Sequence, residues 1–274
     1  MYDDFSSDYD RFVDWPGRLA VELPFIEREL QAVRARRVLD AACGTGMHAV
    51  ALAQRGNVMV GADLSVRMIE QARANAVAAS AEVRFEVAGF GELGARVGSG
   101  FDAVLCLGNS LPHLLNPGDL ASALADFAAC LRPGGLILIQ NRNFDAVLAR
   151  RERWMEPQTY REGEVEWIFL RFYDFEPDGT LTLQKGHSDG TLTLQEGHSD
   201  GTLAFNLVTL RREGAGKWSQ GVATTMLWPM RQSELTAALD EAGFGKVAYW
   251  GDMQSAPFDA KTSPNLVVTA RGPS

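Results

Sequence analysis

Long apolar runs and extended basic segments are both missing from this sequence of 274 residues. No apolar stretch approaches the roughly 20 residues that cross a bilayer, and the amino-terminal segment MYDDFSSDYD is acidic, so we expect neither a membrane-spanning segment nor a signal peptide. The formal net charge is -9, and the longest basic stretch lies at residues 34–37. Because binding to a phosphate backbone needs a basic stripe, we expect no nucleic-acid partner.

Cysteine is also scarce, and the three cysteines do not occur at the spacing of metal ligands. Cys43, Cys106 and Cys130 each lie in apolar or glycine-rich surroundings, which favours small buried side chains over a disulfide framework. We therefore expect a reducing, cytoplasmic compartment. The sequence does have 46% hydrophobic residues, enough at this length for one large α/β core or for a core domain with a subdomain.

Apolar strand-like runs alternate with helix-like segments through the first half of the chain. Pro24 should kink or divide the first helix, and Ser65 should cap the third. This alternation predicts an α/β fold, in which a parallel sheet has helices on both faces. The predicted strands cover residues 37–42, 58–63, 82–88, 101–108 and 135–141, and the predicted helices cover residues 18–33, 47–54, 65–79 and about 119–131.

The pattern changes between about residues 150 and 230, where β-branched and aromatic residues are separated by turn signals. This change predicts an antiparallel β-rich insert. A helix at 232–242 and strands at 246–250 and 265–270 should then return to the main sheet. We accordingly divide the chain into an amino-terminal lid or helical segment, a core, the insert on the substrate side, and a return to the core sheet, at residues 1–36, 37–150, 151–230 and 231–274.

A nearly perfect tandem repeat lies inside the insert. The segment DGTLTLQKGHS occupies residues 178–188, DGTLTLQEGHS follows at 189–199, and a third copy begins at Asp200. Alternating threonine and leucine with an Asp-Gly turn predicts extra strands in a β-ribbon. The repeated His187 and His198 suggest a metal site, but no carboxylate or thiol set accompanies them at ligand spacing, so we expect no metal.

A glycine turn follows the first predicted strand, in the segment VLDAACGTGMH at residues 38–48. Gly44 and Gly46 satisfy the loose dinucleotide-binding pattern, and Asp63, at the end of the second strand, is placed to accept hydrogen bonds from both hydroxyls of a ribose. The pattern alone leaves open a pyrophosphate or a smaller group over the glycines. Asp40 favours the smaller group, because its carboxylate would repel a pyrophosphate and attract a cationic amino group.

Four segments in order along the chain resemble those of class I S-adenosylmethionine-dependent methyltransferases: LDAACGTG, GADLS, FDAVLCLGNS and LRPGG. The resemblance implies S-adenosyl-L-methionine as the cofactor, bound by residues 37–150, and a Rossmann-like, doubly wound sheet of seven mostly parallel strands. In that fold the last strand is antiparallel, and TSPNLVVTARG near the carboxyl end suits it. The cofactor-binding positions that the resemblance implies are Arg18, Asp40, Ala42, Gly44, Gly46, Asp63, Leu64, Gly89, Phe90, Leu107 and His113.

Two of the chain's segments, CLGNSLPHL at 106–114 and NRNFD at 141–145, are similar to those of glycine and sarcosine N-methyltransferases. That similarity implies that Asn109 contacts the amino-acid substrate and that Arg142 grips the substrate carboxylate. Tyr160 aligns loosely with a tyrosine near the substrate, which completes the implied set of catalytic positions. From the residues alone, Arg142 could instead form a surface ion pair and Asn109 an ordinary turn.

The resemblance also has a match and a departure near the cofactor. Arg18 matches an arginine that reaches the methionine carboxylate. Gly89 and Phe90 stand where mammalian relatives place an asparagine before an aromatic residue, so a contact to the adenine base is missing or comes from the backbone. The aromatic residue itself is retained.

The implied reaction is in-line methyl transfer to the nitrogen of a small amino acid such as glycine or sarcosine. No histidine, cysteine or carboxylate constellation indicates an obligatory general base, so solvent should take the proton. The alternatives are N-methylation of an aminosugar or another natural-product amine, an NAD-dependent oxidoreductase, and a non-catalytic cofactor-binding regulator. The expected partner is a small-molecule amine or amino acid, with no membrane, and the sequence leaves a homo-oligomer open.

Overall fold

The computed structural model describes residues 9–175, 181–185, 192–196 and 201–273. Thirteen strands, numbered in chain order, lie in these ranges. They are β1 Arg37–Ala41, β2 Val58–Asp63, β3 Val83–Val87, β4 Phe101–Cys106, β5 Leu131–Arg142, β6 Gln158–Glu162, β7 Val165–Phe175, β8 Leu181–Lys185, β9 Leu192–Glu196, β10 Leu203–Glu213, β11 Ser219–Leu227, β12 Gly245–Trp250 and β13 Asn265–Arg271.

The main sheet has seven strands in the order β12-β13-β5-β4-β1-β2-β3. Strands β1 to β5 are parallel to their neighbours within that group. Strand β13 runs antiparallel to both β5 and β12. The predicted Rossmann-like sheet with an antiparallel last strand is therefore confirmed. Because β1 and β4 are adjacent but far apart in sequence, the chain reverses its direction of winding there, and such a switch point is where open α/β sheets bind ligands.

The helices cover both faces of this sheet. In chain order they are α1 Trp15–Ala32, α2 Met47–Ala53, α3 Val66–Ala78, α4 Leu93–Val97, α5 Pro117–Cys130, α6 Phe144–Arg150 and α7 Gln232–Glu241. One face of the sheet packs against α1, α2 and α3, and the other packs against α4, α5 and α7. None of the helices in the described part of the chain has both the length and the apolar character needed to span a bilayer.

The predicted bounds differ from the structure in a few places. Pro24 was predicted to kink or divide the first helix; it lies inside the single helix α1 and does not divide it, because the residues around it are buried against the sheet and this packing outweighs one lost backbone hydrogen bond. Strand β5 begins at Leu131, earlier than the predicted start at residue 135. The short helices α4 and α6 were not predicted. The predicted cap of α3 is confirmed, since Ser65 Oγ accepts from the N–H of Met68 at 3.1 Å.

The predicted antiparallel insert is also confirmed. Its four-stranded sheet has the order β11-β10-β7-β6, with antiparallel pairs throughout. Strands β8 and β9 from the tandem repeat pair antiparallel with each other, as the alternating threonine and leucine predicted. The insert joins the core where Trp228 N–H donates to the carbonyl of Pro112 at 2.7 Å and where Phe144 packs with Tyr173. This contact places one face of the insert over the carboxyl end of β5.

Candidate cofactor and acceptor site

Two adjoining cavities open at the carboxyl ends of the parallel strands. The first, which we name the glycine-turn cavity, has a volume of about 650 Å³ and lies at the ends of β1, β2 and β4. The second, which we name the Arg142 cavity, has a volume of about 780 Å³ and lies between the end of β5 and strands β7 and β10 of the insert. Tyr9, Arg18, Gly108 and His113 line both cavities, so a group bound in one can contact a group bound in the other.

The glycine-turn cavity collects the predicted cofactor residues, with one exception. Gly46 lies instead at the start of α2, with a φ of 76°. A Cβ atom at Gly46 would come within 2.7 Å of Phe85 and 2.9 Å of Ala72, so only glycine fits and Gly46 shapes the turn rather than facing the cavity. The predicted residues that line the cavity are Arg18, Asp40, Ala42, Gly44, Asp63, Leu64, Gly89, Phe90, Leu107 and His113.

Asp63 is held in place at the end of β2 by the backbone. Its two carboxylate oxygens accept from the N–H of Gly44 and the N–H of Ser65, each at 2.9 Å. These bonds fix the carboxylate across the glycine turn. Because each carboxylate oxygen accepts more than one hydrogen bond, a carboxylate fixed in this way can also bind the hydroxyls of a ribose.

Asp40 is the buried anion of the glycine-turn cavity. Its side chain is 1% exposed, and Oδ2 has no hydrogen-bond partner among the described residues. Burial, supported by the charge of Asp63 and opposed by His48 and Arg18, raises the pKa of Asp40 to about 6. A buried carboxylate oxygen without a partner is costly on its own and is stabilised by a bound cation. The site therefore fits a cofactor that carries positive charge beside a ribose.

The amino-terminal segment 9–14 lies over the glycine turn. Asp10 connects it to the turn by accepting from Thr45 Oγ1 at 2.5 Å, from Trp15 Nε1 at 2.8 Å and from Asn75 Nδ2 at 3.0 Å. A Cβ atom at Gly44 would lie 3.9 Å from the ring of Tyr9. The segment therefore forms one wall of the glycine-turn cavity, and this placement is consistent with the predicted lid.

A buried network that the sequence analysis missed supports Arg18. Glu22 lies 2.6 Å from His48 Nε2, accepts from Arg18 Nε at 3.1 Å and accepts from Gln140 Nε2 at 2.9 Å. Although burial favours the neutral acid, the hydrogen bond of His48 and the charge of Arg18 lower the pKa of Glu22 to about 2. Arg18 also donates to Gln140 Oε1 at 3.3 Å. The i,i+4 spacing of Arg18 and Glu22 was a signal for this pair, whereas His48 and Gln140 come from distant elements.

His113, which the resemblance placed at the cofactor, lies in a short 3-10 turn after β4. It lines both cavities. Burial lowers the pKa of His113 to about 4, so its imidazole is neutral at neutral pH. A neutral imidazole at this junction adds no second positive charge next to a cationic cofactor.

Asn109 and Arg142 meet in the Arg142 cavity, as the resemblance implied. Asn109 Oδ1 accepts from the backbone N–H of Arg142 at 2.9 Å, and Asn109 adopts a φ of 69°. The Arg142 guanidinium lies 3.5 Å from Glu152 and forms a hydrogen bond with Tyr173. Its Nε is buried and has no partner in the part of the chain that the structure describes. Arg142 lines the cavity with a side chain that is 30% exposed, so its guanidinium is partly open to a ligand while it pairs with Glu152.

Among the residues of the Arg142 cavity that were not predicted, Asn141, Gln158 and Arg171 have buried polar atoms without a partner within the described ranges. Asn141 is 1% exposed, and neither its Oδ1 nor its Nδ2 has a partner within the described ranges. Arg171, on β7, has a buried Nε that also lacks a hydrogen-bond partner within the described ranges, and burial lowers the pKa of its guanidinium. Asn141 stands directly before Arg142 in the NRNFD segment, which was a usable signal. Arg171 had no signal, because nothing in the sequence of β7 shows which face meets the core.

Some predicted residues lie elsewhere. Tyr160, on β6, is 37% exposed, packs its ring 5.7 Å from that of Trp167 and lines neither cavity. Its role near the substrate stays a prediction without support from this arrangement. His187 and His198 of the repeat lie outside the described residues.

Comparisons with known proteins agree with this geometry. A family model for a methyltransferase domain matches residues 38–135. A glycine/sarcosine N-methyltransferase from Parasynechococcus marenigrum is 38% identical over 146 residues, which are 53% of this chain and 52% of that protein. The chain thus spans about half the length of the curated relative that it matches.

Solved structures match over nearly the whole chain. An S-adenosylmethionine-dependent methyltransferase from Clostridium acetobutylicum has a TM-score of 0.71 at 15% identity and covers 100% of this chain and 99% of its own. An amino pentose methyltransferase from Micromonospora echinaspora, solved with S-adenosylmethionine bound, has a TM-score of 0.68 at 21% identity over 99% and 98% of the two chains. At these identities the likeness establishes a shared fold. Residues 38–135 therefore match a methyltransferase domain, and the chain has the fold of S-adenosylmethionine-dependent methyltransferases.

Proposed function

We propose that this protein is an S-adenosylmethionine-dependent N-methyltransferase that acts on a small amino acid such as glycine or sarcosine. One observation carries the proposal. Arg142, with a side chain that is 30% exposed, lines a cavity that adjoins the glycine-turn cavity. A guanidinium in that position binds a carboxylate, and the adjoining cavity then places the amino group of the same molecule near the cofactor. The aligned half of the glycine/sarcosine N-methyltransferase supports the same acceptor class.

The glycine-turn cavity has the donor set that this cofactor needs. Asp63 would accept from the ribose hydroxyls, Asp40 would stabilise the positive charge, and Arg18 would bind the methionine carboxylate. When bound, the cofactor would supply an electrophilic methyl carbon on a sulfonium, open to in-line attack by an amine nitrogen with the thioether as the leaving group. The Glu22 network fixes the guanidinium of Arg18 before any ligand arrives, because both oxygens of Glu22 lie 3.1 Å from Arg18 Nε.

The residues of the Arg142 cavity orient the acceptor. Arg142 holds the carboxylate, and we assign the amine to Asn141 together with Asn109, whose Oδ1 already accepts from the backbone of Arg142. Only the neutral amine has a lone pair for attack, and the proton passes to solvent. Alignment of this kind accounts for about 7 to 11 kcal/mol of barrier lowering in well-oriented reactions. The chain's contribution is therefore position and exclusion of water.

The aminosugar alternative rests on fold alone, through the amino pentose methyltransferase of 21% identity. An uncharged sugar would leave the guanidinium of Arg142 without an anion from the ligand. Buried polar groups built for one ligand reject an analogue that leaves them unpaired. The cavity therefore favours the amino acid.

A methyl-transfer assay separates these acceptors. Purified protein is incubated with methyl-labelled cofactor and with glycine, sarcosine, methylamine or an uncharged aminosugar. We expect label in glycine or sarcosine, and a rate with methylamine at least about tenfold lower, because methylamine lacks the carboxylate. Transfer to the aminosugar together with no transfer to any amino acid would overturn the proposal.

We also propose a reducing, cytoplasmic location. Cys43, Cys106 and Cys130 are all buried and carry free thiols. Buried thiols of this kind are typical of proteins that fold where disulfides do not form.

A further inference from the structure

Arg171 places a second guanidinium in the Arg142 cavity. It lies on β7 and lines the cavity together with Arg142, and the two positive charges repel each other. The guanidinium of Arg171 lies 4.9 Å from the ring centre of Phe12. No carboxylate among the described residues forms an ion pair with it, and its Nε is buried without a partner.

The acidic side chains of this cavity do not fill that need. Glu22 is bound by the network that holds Arg18, and Glu152 pairs with Arg142. Asp14 caps α1 by accepting from the N–H of Gly17 at 3.1 Å, and Glu156 is exposed. Arg171 is partly buried, and a cation that loses hydration without gaining a counter-ion is destabilised, so its charge favours a bound anion that no described residue provides.

The volume of the cavity points the same way. At about 780 Å³ it has the size of a site for a larger molecule than glycine. A ligand that binds Arg142 through one carboxylate still leaves Arg171 unpaired unless it carries a second negative group. The two guanidinium groups therefore match a molecule with two anions.

We propose that the acceptor range of this enzyme includes amino acids with an acidic side chain. Arg142 binds the α-carboxylate and Arg171 binds the side-chain anion, while the amine faces the glycine-turn cavity. This inference rests on the proposed function, since it concerns the same acceptor cavity. It adds that Arg171 determines specificity through charge.

Pairs of amino acids that differ only in this charge test the inference. kcat/KM is measured for aspartate against asparagine and for glutamate against glutamine, in the wild type and in Arg171→Gln. We expect each acid to exceed its amide at least tenfold in the wild type, and the ratio to fall to about one in Arg171→Gln. Arg161→Gln removes an exposed arginine of the same sheet and should keep the wild-type ratio.

A second measurement uses only the wild-type protein, so it tests the inference even when Arg171→Gln does not fold. Succinate and its monoamide, succinamate, compete with glycine for the wild-type enzyme, and succinate should inhibit at least tenfold more strongly because only it has two carboxylates. Equal inhibition by the two would overturn the inference.

Three outcomes separate this inference from the proposed function. If glycine is methylated and the wild type does not distinguish acids from amides, the inference is wrong and the proposed function stands. If Arg171→Gln lowers kcat/KM equally for acid and amide, Arg171 serves the α-carboxylate and the inference is again wrong. If the protein binds S-adenosylmethionine and methylates no amino acid, the proposed function itself fails.

Discussion

The glycine-turn cavity and the Arg142 cavity share four residues and yet are built in different ways. In the first, short consecutive segments at the ends of parallel strands supply the ligand-facing groups, and the backbone already holds Asp63 at 2.9 Å from two N–H groups. In the second, strand β5 of the core meets strands β7 and β10 of the insert. Several of its polar atoms, on Asn141, Arg142 and Arg171, have no partner within the described residues.

This difference relates to what each cavity recognises. A cavity whose groups are fixed by local backbone bonds suits one ligand that does not change. A cavity whose donors are buried and unpaired depends on the ligand to complete them, and it rejects ligands that do not. The glycine-turn cavity is therefore suited to a constant cofactor, and the Arg142 cavity, which we propose binds the acceptor, is the more selective of the two.

Substitution of Arg142 should have the largest effect, and only on the acceptor side. Arg142→Lys keeps the charge and loses the planar fork, so the acceptor is misplaced and kcat/KM for glycine should fall at least about a hundredfold. Cofactor affinity, measured by calorimetry, should stay within about twofold. Arg150→Lys, an exposed change in the following helix, is the control. Full turnover in Arg142→Lys would contradict the assignment of the acceptor carboxylate.

Substitution of Asp63 should show the reverse pattern. Asp63→Asn removes the negative charge beside the ribose position, and each charge-assisted hydrogen bond is worth about 1.5 to 3 kcal/mol, so cofactor affinity should fall tenfold or more. Asp240→Asn, an exposed aspartate near the end of α7, is the control. A folded Asp63→Asn variant with wild-type cofactor affinity in calorimetry would show that the ribose is bound elsewhere.

The pH dependence of cofactor binding should report on Asp40. Burial raises the pKa of Asp40 to about 6, and only the ionised carboxylate attracts a cation. As pH falls below about 6, the wild type should lose cofactor affinity by up to about tenfold per pH unit, and Asp40→Asn should bind more weakly but without that dependence. Asp63, His48 and Arg18 also face Asp40, so the difference between the two proteins is the quantity to compare. Identical slopes would exclude Asp40 as the titrating group.

Deletion of one repeat unit should have the smallest effect. Removal of residues 189–199 takes away β9, which pairs only with β8 among the described strands. Cofactor affinity should be unchanged and activity should stay within about tenfold, because the described residues that line the two cavities lie on other elements. Loss of turnover in a folded deletion variant, or release of a bound metal, would show that the repeat has a chemical role.

Local pattern predicted the parts of the fold that repeat over several turns or strand positions. The five parallel strands and helices α1, α3, α5 and α7 all have enough residues for a periodic signal. Helices α2, α4 and α6, with 7, 5 and 7 residues, are too short for one: α2 was predicted because it follows the glycine turn, and α4 and α6 were missed. Pro24 does not divide α1, because the burial of its neighbours against the sheet outweighs the low helix propensity of proline.

The sequence by itself determined the part of the glycine-turn cavity at the strand ends, because groups such as Gly44 and Asp63 lie within a few residues of the strands that position them. Its walls from α1 and the insert, which include Arg18 and Thr225, come together only in the tertiary structure. Only the tertiary structure decided the Arg142 cavity. Arg171 and Asn141 come from different sheets, and the register of β7 sets which of its side chains face inward. The network of Glu22, His48 and Gln140 also forms only in the tertiary structure, because contacts between residues far apart in sequence do not affect local periodicity.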